Sequence, residues 1–269
     1  MSMSWLNLQA MVSNALEGVN EFSSALWQDI EACLARTVKS GGPRIAVFDA
    51  DGTLWDDDAG EAFFLWQIAN CGFQFPSDPW VYYHEWKKRD PHGAYGWLAQ
   101  ISKGIPIDTV RGWAETCFAS HSPWPVFGSI RRLVERLQQA GFEIYIVTAS
   151  VKWAVEPAAR HLLGIPANRV LGIETEIVDG RVTDRVLAPI TYRQGKADAL
   201  LRATSGVKPV FAAGNTLGDI ALLETAVDFK LMIQSQSAIV PAHAGLAADE
   251  KRLREHGRPL GWRLHAFRS

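Results

Sequence analysis

The sequence predicts an α/β fold built on a parallel sheet, with a helical unit inserted after the first strand. Three observations carry that prediction. Ile45-Ala46-Val47-Phe48 is an unbroken apolar run that stops at Asp49 and Asp51-Gly52, as a strand buried on both faces would. From Ser129 onward, apolar strand segments alternate with amphipathic helical ones, the rhythm of right-handed β-α-β crossovers. Between these two parts, residues 56–124 show helical spacing, many aromatics and Pro76, Pro79, Pro91, Pro106 and Pro123, without strand alternation.

Taken in order, residues 5–39 carry apolar positions at helical spacing, among them Leu8, Met11, Leu16, Val19, Phe22, Leu26, Ile30 and Cys33, with Gly18 as a break between two helices. Gly41-Gly42-Pro43 ends this part and launches the acid-tipped strand. After the insertion, Ser129–Ala140 reads as a helix stopped by Gly141, and Glu143–Val147 as a strand ending in Thr148-Ala149-Ser150. Val151–Leu163 is helical. Val170–Val178 and Arg181–Val186 flank Asp179-Gly180, a type I′ hairpin signal. Gly195–Ala203 predicts a helix, Pro209–Ala213 a strand ending in Gly214-Asn215, Asp219–Ala226 a helix and Phe229–Ile233 a strand. The basic C-terminal segment with Trp262, His265 and Phe267 predicts a helix and a docked tail.

A chain of 269 residues can bury one large core and carry an inserted second unit. Its 27 basic and 29 acidic residues leave a formal charge of −2, which gives no reason to expect a nucleic-acid partner. Cys33, Cys71 and Cys117 are odd in number and far apart; they suggest neither disulfides nor a metal knuckle and read as small buried apolar residues. Met1–Ala10 lacks the pattern of a secretory leader and no window reaches membrane-span length, so a cytoplasmic location without a membrane partner is expected. Trp55, Trp66, Trp80, Trp86, Trp97, Trp113 and Trp124 are seven of the 11 tryptophans, and their concentration marks the inserted region as a separate unit.

Asp49 and Asp51 by themselves read equally as a polar turn capping a core strand or as a site at a strand's carboxyl end, where open α/β sheets bind ligands. The rest of the chain decides between them. Thr148 and Ser150, Lys196 at a helix start, and Asn215 with Asp219 all follow elements that can bring them to the same sheet edge. In that order the residues resemble the four motifs of the haloacid dehalogenase (HAD) superfamily: an Asp-x-Asp-Gly-Thr strand end, a Thr or Ser after a second strand, a lysine, and an acidic pair after a late strand. The likeness spans residues 45–219. Three local runs are similar to the phosphoserine phosphatase and bacterial phosphorylcholine phosphatase group: Asp51-Gly52-Thr53-Leu54-Trp55 leading to Glu61-Ala62, Val147-Thr148-Ala149-Ser150, and Tyr192-Arg193-Gln194-Gly195-Lys196. The resemblance implies a Rossmann-like core of residues 1–55 and 125–269, with N-terminal helices of residues 1–40 packed on it, and a helical cap of residues 56–124.

It further implies a Mg²⁺-dependent phosphomonoester hydrolase acting on a small phosphorylated metabolite. Asp49 is the expected nucleophile, forming an aspartyl-phosphate, and Asp51 the general acid and base. Lys196 and Thr148 are expected to stabilise charge on the transferring group, with backbone N–H groups at Ala149 and Gly52 completing a phosphate cradle. Mg²⁺, a hard cation suited to oxygen ligands beside phosphate, is expected on the Asp49 carboxylate, the Asp51 carbonyl and Asn215, with Asp219 close by. Asn215 departs from the pattern, in which aspartate is frequent. The missing negative charge predicts weaker or less Mg²⁺-selective binding.

Substrate choice is expected from the cap and from the stretch after the first motif. Trp55, Asp58 and Glu61 can hold an amine or quaternary ammonium by charge and cation–π attraction; alternatively Trp55 packs under the cap while Asp56, Asp57 and Asp58 form a solvated helix start. Glu61 matches an acidic residue of phosphorylcholine phosphatase in its place after the first motif. His84–Arg89 reads as a charged helix face, and Arg111, His92 and His121 receive no role. Asp51 argues against a carbon-centred dehalogenase, which does not need a second aspartate. Phosphotransfer to an acceptor other than water, and a non-catalytic phosphate-binding scaffold on the same fold, are the alternatives. Monomer and homodimer are both left open.

Overall fold

The computed structural model describes residues 21–75, 77–121, 124–235 and 244–267. The first of the two expected N-terminal helices lies outside the described residues. The second is α1, Ser24–Ser40, capped by the Ser23 hydroxyl, which accepts from Leu26 N–H at 3.1 Å. It buries Leu26, Ile30, Cys33 and Leu34 against the main core.

β1, Ile45–Phe48, sits inside a six-stranded sheet. The other members are β2 Glu143–Val151, β3 Val170–Ile173, β6 Phe211–Gly214, β7 Phe229–Gln234 and β8 Arg263–Ala266. They stand in the order β3-β2-β1-β6-β7-β8, and every pairing is parallel. Helices α6 Gly128–Gln139, α7 Lys152–Leu163, α8 Gln194–Ala203, α9 Ile220–Thr225 and α10 Ala244–Gly257 lie between the strands in the chain. Alternate β1 residues serve opposite faces. Ala46 and Phe48 join Leu34, Leu133 and Leu137 on one side, while Val47 joins Leu200, Leu222 and Leu253 on the other. Both faces are therefore buried, which is why the strand is apolar without alternation. The strand order reverses direction between β1 and β6, the position where such sheets open a crevice.

Two segments depart from the sequence expectation. Val170–Val178 is not a single hairpin arm: β3 joins the main sheet beside β2, and only β4, Thr175–Val178, pairs with β5, Arg181–Val186. Asp179 and Gly180 make the turn with φ of 50° and 73°. The stretch divides at Glu174, where the chain passes from the main sheet to the hairpin, and local hydropathy does not record which partner each half takes. The C-terminal tail is also more than docked. Arg263–Ala266 pairs with Leu231–Gln234 as the sixth strand. An edge strand with one wetter face mixes Arg and His among apolar residues and hides its strand character. Cys33 and Cys117 are buried as expected, whereas Cys71 is only half-buried.

The inserted helices are α2 Ala59–Asn70, α3 Pro79–Arg89, α4 Pro91–Gln100 and α5 Ile107–Ser120. Asp58, Asp78 and Asp90 cap the first three through their side chains, and Pro79 and Pro91 occupy first-turn positions. These two prolines therefore start helices. Phe63, Phe64, Tyr83, Leu98 and Val110 form a second core, with Trp66, Trp80, Trp86, Trp97 and Trp113 packed around it. Trp55 and Trp124 belong to the main core. Val182 of the hairpin enters the helical cluster, and Gly104 N–H donates to its carbonyl at 2.8 Å. The chain leaves the sheet layer at Asp56 and returns at Pro125, where Asp56 N–H donates to Pro125 O at 2.9 Å. Among the described residues, no helix is long and apolar enough to cross a membrane.

Candidate active site

Strand register builds the site before any side chain does. Phe48 lies opposite Ile146 of β2 and Ala213 of β6, so the residues that follow on three strands emerge at one edge. Asp49 N–H donates to Ala213 O at 2.9 Å, after which Thr53 and Leu54 N–H both return to Ala50 O in a tight turn. Gly52 stands in this turn with φ of +74°, and a β-carbon there would lie 2.2 Å from Asn215 Nδ2. Only glycine allows the β1 and β6 loops to approach this closely. Its N–H is occupied by Trp55 O at 2.9 Å. Gly52 thus contributes space rather than the free phosphate donor expected of it.

Asp49, Lys196 and Asp219 form a buried cluster. Lys196 Nζ lies 2.5 Å from Asp49 Oδ1 and 2.6 Å from Asp219 Oδ1. Asp219 Oδ2 accepts from Asn215 N–H at 3.1 Å, Thr216 N–H at 2.9 Å and the Thr216 hydroxyl at 3.1 Å. Both Asp219 oxygens are therefore committed, and the residue ties Lys196 to the 214–216 loop. The Thr53 hydroxyl donates to Asp49 Oδ2 at 3.1 Å and stands 3.4 Å from Asn215 Oδ1. Burial and Asp219 push the Asp49 carboxyl up to about 7 against the pull of Lys196. Burial alone would lower the Lys196 ammonium, but Asp219 and Asp49 outweigh it and hold the group above its ordinary value.

Asp51 is held by a separate set of donors. Its Oδ1 accepts from the Trp55 indole N–H and from Ala59 N–H, both at 2.8 Å. Its Oδ2 accepts from the Ser150 hydroxyl at 2.7 Å, with the Thr148 hydroxyl at 3.4 Å. The register of β2 against β3 shifts between Val147 and Val151, so Thr148, Ala149 and Ser150 lie in a bulge off the regular ladder. Gly60 makes room for this contact, since a β-carbon there would stand 2.5 Å from Ser150 Oγ. Burial, then the Asp58 charge, raise Asp51 to about 7 against the Ala59, Ser150 and Trp55 donors.

The sequence-predicted residues thus divide. Asp49, Asp51, Thr148, Lys196, Asn215 and Asp219 converge, with Gly52 and Ala149 beside them. Trp55 is 0% exposed and edge-on to Trp124 at 6.3 Å, so its ring lies in the core with no face open to a substrate. Asp58 caps α2; burial and Glu61 push its carboxyl up to about 7 while Lys87 opposes them. Glu61 is paired with Lys87 at 2.9 Å, and His84 Nε2 stands 3.9 Å away. The expected charged face of His84–Arg89 therefore turns one ammonium inward, and Lys87 Nζ lies 5.4 Å from the ring centres of both Tyr83 and Tyr95. Arg111 pairs with Glu156, and the His92 ring lies 5.4 Å from that of Tyr192. The inward Lys87 and the roles of Thr53 and Ser150 on the two aspartates were missed in the sequence. Thr53 carried a signal, as the residue after Asp51-Gly52; Lys87 carried none, because its partner is fixed by helix packing.

An all-oxygen cation site fits these residues. One Thr53 hydroxyl touches both Asp49 Oδ2 and Asn215 Oδ1, so those two oxygens face a common point. Among the described residues no three His, Cys, Asp or Glu side chains gather as metal ligands. Carboxylate, amide and carbonyl oxygens suit a hard ion such as Mg²⁺ that keeps several waters.

A Rossmann-like α/β protein with a carboxylate–lysine–carboxylate cluster at the switch point of its sheet is thereby defined. The model of the haloacid dehalogenase-like hydrolase family matches residues 46–224, more than half of the chain, and the chain belongs to that family. It is 37% identical over 100 residues to the phosphoserine phosphatase SerB2 of Mycobacterium tuberculosis, covering 36% of this chain and 24% of that protein. It is 23% identical over 182 residues to the phosphorylcholine phosphatase of Pseudomonas aeruginosa, covering 50% of this chain and 52% of that one. The chain therefore spans well under two thirds of the length of either relative. Among solved structures, a protein of unknown function from Bordetella pertussis Tohama I superposes with a TM-score of 0.64 at 21% identity, over 82% of this chain and 97% of the other. A conserved protein of unknown function from Anaerococcus prevotii gives 0.67 at 16% identity, over 91% and 92%. At these identities the likeness concerns the fold alone.

Proposed function

We infer that the chain is a Mg²⁺-dependent phosphomonoester hydrolase of a small metabolite, working through an aspartyl-phosphate on Asp49. The carrying observation is the Lys196 ammonium lodged between Asp49 and Asp219, with a second carboxyl group, Asp51, held at the same sheet edge by Ser150, Ala59 and Trp55. In the first step an Asp49 carboxylate oxygen attacks phosphorus in line. The bond from phosphorus to the leaving oxygen breaks, and the Asp51 carboxylic acid gives that oxygen its proton. In the second step the Asp51 carboxylate takes a proton from water as the water oxygen attacks phosphorus. The bond to Asp49 then breaks and inorganic phosphate departs. A carboxyl group near pH 7 is matched to both tasks.

Lys196 offsets the charge of the transferring group, aided by the Thr148 hydroxyl and backbone N–H groups of the Thr148–Ser150 bulge. Asp49, Asn215 and the Asp51 carbonyl would hold Mg²⁺, which when bound would supply further positive charge to the phosphoryl oxygens. Asp219, with both oxygens committed, positions Lys196 rather than ligating. The cap comprises residues 56–124, supplemented by the 175–186 hairpin. Asp58 sets a carboxyl near Asp51, and the Glu61–Lys87 pair stands next to Asp58; this polar surround suits an amine-bearing leaving group, as the two curated relatives' names also suggest.

Asp49→Asn is expected to abolish phosphate release from a generic aryl phosphate while leaving the thermal unfolding transition in place; turnover retained in this variant refutes the assignment. A panel of phosphoserine, phosphorylcholine and phosphoethanolamine with Mg²⁺ identifies the leaving group.

A further inference from the structure

Behind the metal-facing side of the site stands a carboxylate that neither motif spacing nor the catalytic steps employ. Glu250 lies on α10 and is 1% exposed. Its Oε1 accepts from Ser235 N–H at 3.1 Å and from the Ser235 hydroxyl at 2.8 Å. Its Oε2 is buried with no hydrogen-bond partner among the described residues, and Asn215 Nδ2 is in the same condition. Both atoms are buried where α10 packs on the 217–219 turn that closes the Asn215 loop. One orphan atom only accepts and the other only donates. Leaving both unmatched is costly for buried polar groups, and each is the natural partner of the other.

We propose that Glu250 is a positioning residue for Asn215: by accepting from Nδ2 it turns Oδ1 toward Asp49, the side on which the cation would be held. The inference rests on the reading of Asn215 as a Mg²⁺ ligand. A primary amide has nearly the same shape in its two orientations, yet only its oxygen can ligate a cation. The Thr53 hydroxyl, at 3.4 Å from Oδ1, is too distant to select the orientation alone. A carboxylate cannot donate, so Glu250 accepts only the orientation that sends the amide oxygen toward the cation. It also restores, one shell out, a negative charge that Asn215 itself lacks.

The test is Mg²⁺ binding without substrate, by calorimetric titration and by Mg²⁺-dependent thermal shift, across a double-substitution cycle. In Glu250→Gln the two Ser235 donors retain the side-chain oxygen, so the new NH₂ faces Asn215 Nδ2, donor against donor. Affinity is expected to fall about 10- to 100-fold as the Asn215 amide turns over. In Asn215→Asp two carboxylates face each other, and this repulsion is expected to outweigh the ligand charge gained, so that binding weakens here too. In the double variant the carboxylate introduced at position 215 accepts from the amide introduced at position 250, and most of the lost affinity returns. Wild-type affinity in folded Glu250→Gln, or losses that simply add in the double variant, overturns the proposal. If Glu250→Gln does not fold, the Asn215 side-chain amide in metal-free wild-type protein decides by NMR. One of its protons displaced downfield supports the proposal, and ordinary shifts for both overturn it. Absence of Mg²⁺ binding by the wild type overturns the metal reading as well, whereas wild-type binding unaltered by Glu250→Gln defeats this inference alone.

Discussion

Trp55→Phe isolates one hydrogen bond of the proposed acid–base group. The indole N–H lies 2.8 Å from Asp51 Oδ1, and the ring is wholly buried. A hydrogen bond to a charged acceptor contributes about 1.5–3 kcal/mol, and one pKa unit corresponds to about 1.4 kcal/mol. Ala59 N–H and the Ser150 hydroxyl remain on the carboxylate, so the lower end of that range applies. Asp51, already raised to about 7, should rise by about one further unit. The direction follows from which form the donor favours: the indole stabilises only the ionised carboxylate, so without it the proton is retained to higher pH. Expulsion of a poor leaving group requires the acid form, and the alkaline limb of kcat/KM therefore moves upward by about one unit. The smaller ring also leaves a void, expected to lower stability by about 1–2 kcal/mol without displacing the limb. The assay is inorganic phosphate release from an alkyl phosphate between pH 5 and 9, because an aryl leaving group needs little protonation. An alkaline limb that stays in place or moves down refutes the assignment of the indole to Asp51.

Two further outcomes are expected. Lys196→Met leaves Asp49 and Asp219 buried without their cation, which should abolish turnover and cost about 3–5 kcal/mol of stability at pH 8. Asp49 is raised above its ordinary value, so the folded protein relieves the repulsion by taking up a proton as pH falls; the loss in urea unfolding at pH 5 should be smaller, and equal losses at both pH values refute the reasoning. Asp58→Asn keeps the helix cap of α2 but removes a carboxyl raised to about 7 by burial and Glu61. Such a group opposes folding increasingly as pH climbs from its ordinary range toward 7, so the variant should gain more in Tm at pH 8 than at pH 5; a gain independent of pH counts against it.

The order of strands and motifs along the chain determined the centre of this protein. A run such as Ile45–Phe48, short, rich in β-formers and bounded by Gly-Pro and Asp-Gly, reads as a strand covered on both faces, and parallel strands linked by right-handed crossovers bring all their carboxyl ends to one edge. Asp49, Thr148 and Asn215 were therefore assignable to a common edge from their places after three strands, and Asp51 and Lys196 from their offsets. The tertiary structure alone decided what each side chain touches. Trp55 faces inward to Asp51 because the 50–55 turn folds back beneath the cap, a direction that sequence spacing does not specify. Lys87 meets Glu61 because α3 presents that one position of a basic run to α2, and helix packing selects the position. Glu250 is brought behind the Asn215 loop, bound to Ser235, by the packing of α10 on the 217–219 turn, and no motif announces it. Backbone hydrogen bonding and hydrophobic burial are repetitive enough to be written in local pattern. The partner of a single polar atom depends on where distant elements come to rest, and is fixed only when the core has closed.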